Sequence, residues 1–118
     1  MSERINPELI RVAAEMAEPQ YQWVIDDPIG GNPMVHRYGS PYLIFFNPLN
    51  DGKDANSLML ALMKEGWFIF HVESGKFVAR HPIHCSTSPT SNIAIQDESF
   101  PLLLLKCVSA MRGINLYV

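Results

Sequence analysis

Apolar and polar positions follow different spacings in different parts of these 118 residues. Leu9, Val12, Ala13 and Met16 recur at helical spacing, with Glu8, Arg11 and Glu15 on the wet face. Asn6 can cap this helix, Pro7 suits its first position, Glu8 favours its dipole, and Pro19 ends it. Residues 20–41 keep no period. Pro28, Gly30, Gly31, Pro33, Gly39 and Pro41 interrupt them, which predicts a long irregular loop. Tyr21, Trp23, Val24 and Ile25 nevertheless lie in it. A loop with that much apolar bulk folds over the core or makes a contact, and packing is the simpler reading.

The apolar run Tyr42 to Phe46 predicts a short strand buried on both faces. A turn at Pro48, Asn50, Asp51 and Gly52 follows. A second helix then starts with Asp54 as its cap, carries Ala55, Leu58, Met59 and Leu62 as its inner stripe, and stops at Gly66. Leu60 falls on the other side and is a candidate exposed apolar residue. Trp67–Val72 and Lys76–Arg80, joined by Glu73, Ser74 and Gly75, predict a hairpin. A polar loop over 82–90 and a weaker strand over 92–96 come next, with Ile93 and Ile95 on one face. The last helix runs from Phe100 to Arg112, with Ser99 near its cap and Gly113 at its end. Its polar stripe is narrow: Lys106, Ser109 and Arg112. So apolar a helix packs centrally or offers a flank to a partner. The class predicted is α+β, a small, mostly antiparallel sheet of three to four strands covered by three helices in one domain.

Composition narrows the function classes. Hydrophobic residues make up 47% and charged residues 18%, which disfavours disorder and favours an apolar contact surface. A net charge of −3 and a pI near 5.7 argue against direct nucleic-acid binding by phosphate neutralisation. Residues 1–12 carry no apolar signal-peptide core, and no run reaches membrane-span length. Cys85 and Cys107 do not form a secreted disulfide framework, so a reduced cytoplasm is expected.

The stretch Asn47-Pro48-Leu49-Asn50-Asp51-Gly52-Lys53-Asp54-Ala55, followed by Leu58 and Leu62, resembles a signature of small phage and prophage proteins, the phage α/β/α-sandwich group. In that group a first helix leads to a Trp-containing segment. An Asn-Pro-Leu turn opens a helix, a strand pair follows, and a short apolar helix closes the chain. Trp23, residues 47–62, residues 67–80 and residues 100–111 stand at matching places. The final helix departs from the pattern in being a Leu block, and the His81–Cys85 loop is not part of it. The resemblance implies an accessory protein of a mobile element, without a catalytic assignment or cofactor, in the cytoplasm of a bacterial host.

Candidate chemistry is sparse. His81, His84 and Cys85 could supply zinc ligands, though their spacing matches no standard motif and an ordinary polar loop explains them. Cys107, inside a Leu-rich helix, reads as a small core residue. Asp51 and Asp54 suit a turn and a cap. Tyr21, Trp23, Arg37 and Tyr38 in the irregular loop, with Leu60, are the candidate partner-binding residues. The first function expected is therefore a non-catalytic protein that binds a host protein, such as an anti-defence inhibitor of a CRISPR–Cas component. The second is a binder of nucleotide-type small molecules, with His71, Arg80 and Tyr38 as polar contacts. The third is a metal-dependent hydrolase. A homodimer that covers the last helix is also expected.

Overall fold

The computed structural model describes residues 4–26, 34–39, 44–82, 86–88, 91–92 and 95–118. Helix α1, Pro7–Ala17, begins where expected. The Asn6 side chain accepts the Glu8 N–H at 3.1 Å, and Leu9, Ala13 and Ala14 are buried. Arg11 pairs with both Glu8 and Glu15 on the wet face.

The irregular-loop expectation for 20–41 is wrong at both ends. Strands β1, Trp23–Asp26, and β2, Met34–Arg37, pair antiparallel, with Trp23 opposite Arg37 and Ile25 opposite Val35. Trp23 and Val35 are both buried. The interrupting residues 27–33 lie outside the described residues.

The Tyr42–Phe46 strand is also corrected. Residues 42 and 43 lie outside the described residues, and 44–46 make a single bridge, Phe45 to His36. The Arg37 N–H donates to the Ile44 carbonyl at 3.0 Å, and the Phe46 N–H to that of Val35 at 2.9 Å. Phe46 is buried while Phe45 is exposed. Pairing cannot continue, because the chain turns at once: the Asp51 N–H returns to the Asn47 carbonyl at 2.9 Å.

That turn launches helix α2, Gly52–Lys64. Its cap is Asp51, whose carboxylate accepts the Lys53 N–H at 2.9 Å. Asp54, the cap expected from sequence, sits one turn into the helix. From there it reaches back to the Asn47 N–H at 2.9 Å, tying the Asn-Pro-Leu turn to the helix start. Burial pushes the Asp54 carboxyl above its ordinary pKa, although the Asn47 N–H opposes the shift. Ala55, Leu58 and Leu62 face inward, and Met59 is half-buried. The helix stops at Glu65, followed by Gly66 with φ +101°.

Strands β3, Phe68–His71, and β4, Phe77–Arg80, form the expected hairpin. Beyond it the structure differs from the predicted loop and strand. Strands β5, Ser86–Ser88, and β6, Ser91–Asn92, make a small separate ladder. Strand β7, Ile95–Asp97, joins the main sheet in the order β3-β4-β7. Ile93 lies outside the described residues.

Helix α3, Phe100–Arg112, matches its predicted bounds, with the Ser99 hydroxyl accepting the Leu102 N–H and Gly113 left-handed at φ +69°. It packs between α1 and α2 on one side and β4 and β7 on the other. Leu103, Leu104, Leu105, Cys107 and Val108 are fully buried. Each large apolar side chain among them contributes roughly 1.5–3 kcal/mol. The apolar flank expected to need a second copy is therefore covered inside the fold. The protein is α+β, with three helices and small antiparallel sheets, as the sequence predicts. Among the described residues, no helix is long and apolar enough to cross a membrane.

Candidate functional site

Three of the predicted partner-binding residues come together, and the contact holds the fold. The Arg37 guanidinium lies 3.6 Å from the centre of the Tyr21 ring and 5.5 Å from that of Trp23. Its Nη2 donates to the Glu18 carboxylate at 2.8 Å, and the Trp23 indole N–H donates to the Glu18 carbonyl at 3.2 Å. The residues after α1 and the two strands of the hairpin thus share one knot. Trp23 is buried, Tyr21 is 41% exposed, and Tyr38 projects with 67% of its surface exposed.

Leu60 is separate from that knot and is exposed, as its helical position predicts. It lines a groove of about 740 Å³ between α1 and α2, floored by Val12, Met16 and Ala61. Glu15, Glu65, Lys64 and Arg112 give the lining two charges of each sign. Met63, one turn along α2, is also half exposed. A groove lined by apolar side chains and charges of both signs can accept one face of an amphipathic helix.

The candidate metal ligands divide. His84 and Cys85 lie outside the described residues. The His81 ring stacks at a tilt on Trp67, 5.1 Å between centroids, and its Nε2 lies 2.8 Å from the Glu65 carbonyl oxygen. A carbonyl only accepts, so Nε2 carries the hydrogen and donates it there. The imidazole thereby satisfies a carbonyl at the end of α2, where helices leave acceptors unpaired. Cys107 is buried in the core, out of reach of a substrate. Among the described residues, no three His, Cys, Asp or Glu side chains converge as a metal site would require.

Among the described residues, the small-molecule contacts proposed from sequence, His71, Arg80 and Tyr38, do not line the pocket between α1 and α2. A second pocket, of about 520 Å³, is lined by Ile10, Val35, Phe45 and Phe46, with Arg4, Asn47 and Asn50 as its polar groups. His71 instead stacks on Phe77 at 4.8 Å, and Arg80 and Tyr38 lie on two different hairpins.

Sequence reasoning passed over Phe68 and Phe70. Both are exposed, at 68% and 44%, on the sheet face turned away from α3. Their spacing of two residues puts them on one face of β3. The pattern alone does not say which face the helices cover. No family model, no curated protein and no solved structure matches this chain.

Proposed function

We propose that this chain is a non-catalytic binding protein that occupies a surface on a host protein through the α1–α2 groove. The observation that carries the reading is Leu60, 52% exposed in a groove lined by apolar side chains and charges of both signs. The occupant that fits is an amphipathic helix, with apolar residues one turn apart and flanking charges of both signs. The engaged His81 ring and the buried Cys107 thiol support a non-catalytic role. The resemblance of residues 47–62 to phage accessory proteins directs the search to bacterial defence components, with the bacterial cytoplasm as the place of action.

Capture from bacterial lysate tests the proposal, with the wild-type chain and Leu60→Lys compared side by side. The substitution sits on an exposed position and changes stability by less than about 0.5 kcal/mol. Wild type retains one protein in fixed proportion, and Leu60→Lys loses it. Equal recovery by both chains rejects the groove.

The 520 Å³ pocket favours a second reading, a binder of small anionic apolar molecules held by Arg4 and the two asparagine amides. A thermal-shift screen that includes nucleotides separates the two. A stabilising ligand whose effect disappears in Arg4→Ala supports this reading, and the absence of any shift removes it.

A further inference from the structure

We propose that the open edge of β3 is a homodimer interface, at which two copies pair β3 against β3 about a two-fold axis. The inference is independent of the α1–α2 groove. The Val72 N–H donates to the Lys76 carbonyl at 2.9 Å, which fixes the phase of the hairpin ladder. Phe70 stands opposite Val78 and Phe68 opposite Arg80, so alternation makes these the residues bonded toward β4. Ile69 and His71 therefore turn their N–H and C=O groups to the other side. Among the described residues no strand pairs there, since β3 ends the order β3-β4-β7.

This edge lacks the usual protections. Between Phe68 and His71 there is no Lys, Arg, Asp, Glu, Pro or Gly. The opposite edge strand, β7, is shorter and ends at Asp97, whose carboxylate holds Lys106 Nζ at 2.7 Å. Helix α3 lies over β4 and β7, and on the face turned away from it Phe68 and Phe70 are exposed while Val78, opposite Phe70 on β4, is buried.

A second copy fits this edge because a strand related to itself by a two-fold axis is antiparallel by construction. In a register centred on Phe70, Ile69 of each copy faces His71 of the other. Every outward donor and acceptor of those two residues then finds a partner. The two Phe70 rings meet on the face turned away from α3, each Phe68 lies beside a Val72, and no like charges are brought opposite one another. A four-residue strand is only about 13 Å long. The interface is therefore at the small end of specific ones, and the dimer dissociates on dilution.

Sedimentation velocity from micromolar to near-millimolar concentration tests this. The wild-type mass rises from 13.3 kDa toward twice that value. His71→Pro removes an outward N–H without touching the β3–β4 ladder, and it stays monomeric throughout. Phe70→Lys, at an exposed position, also stays monomeric, while Leu60→Lys associates like wild type. Hydrogen exchange on the unaltered protein gives a second readout, with protection of the Ile69 and His71 amides rising about tenfold or more with concentration. A wild-type chain that remains monomeric overturns the proposal and leaves the edge to a strand from another protein. Association of His71→Pro or Phe70→Lys at wild-type strength overturns it too, as does loss of association in Leu60→Lys.

Discussion

Gly66→Ala tests the role assigned to His81 most sharply. Gly66 has φ +101°, and a Cβ built there lies 3.0 Å from His81 Nε2. Two costs follow. A non-glycine residue in the left-handed region loses about 1–2 kcal/mol. The new methyl also pushes the imidazole off the Glu65 carbonyl, which costs about 1 kcal/mol for the hydrogen bond. The total is about 2–3 kcal/mol, a fall of roughly 10 °C in melting temperature for a domain of this size. Urea unfolding of wild type, Gly66→Ala, His81→Ala and the double variant separates the parts. Once His81 is gone the methyl has nothing to displace, so the double variant is more stable than the sum of the single effects by about 1 kcal/mol. Strict additivity, or a Gly66→Ala protein within about 0.5 kcal/mol of wild type, refutes the view that His81 stabilises the end of α2 through the Glu65 carbonyl.

Two carboxylates give further predictions. Asp51→Ala loses the α2 cap at about 1 kcal/mol. Asp54→Asn keeps the acceptor for Asn47 and removes a charge whose pKa is raised by burial, so it is tolerated better than Asp54→Ala in urea unfolding. The raised pKa means that ionised Asp54 costs stability above its ordinary pKa, a cost that vanishes as the pH falls below it. Asp97 runs the other way. Burial pushes its carboxyl up, but Lys106 and the Ser99 and Glu98 N–H groups outweigh that and hold it below the usual range. Its contribution is present above the ordinary carboxylate pKa of about 3.9 and is lost as the pH falls through the lower folded value. Asp97→Asn therefore flattens the acid limb of stability below about pH 4, and an unchanged acid limb contradicts the assignment.

What the sequence revealed follows from how local each signal is. Helices α1 and α3 were legible to the residue or nearly so, because Asn6, Ser99 and Gly113 act on their immediate neighbours. The β3–β4 hairpin was legible for the same reason. The cap of α2 was not, since Asp51 and Asp54 both precede the apolar stripe and only the path of Asn47 decides between them. The β1–β2 hairpin was hidden by the Pro and Gly residues of its connection, although Trp23, Val24 and Ile25 carried strand character. Residues 44–46 looked like a strand by apolarity alone, which does not reveal that the turn at Asn47 cuts pairing short. Of the candidate site, Leu60 was legible from helical phase. Trp23 and Arg37 were named as candidate binding residues although packing was the simpler reading, and the pairing of Arg37 with Glu18, nineteen residues away, could not be read from the sequence. Phe68 and Phe70 were missed because exposure of one sheet face depends on where α3 lands.

The comparison of wild type with Leu60→Lys in capture from bacterial lysate is the most direct test of the proposed function. Recovery of one protein in fixed proportion by wild type, lost in Leu60→Lys and retained in Phe70→Lys, is the predicted result. A partner held equally by wild type and Leu60→Lys contradicts it.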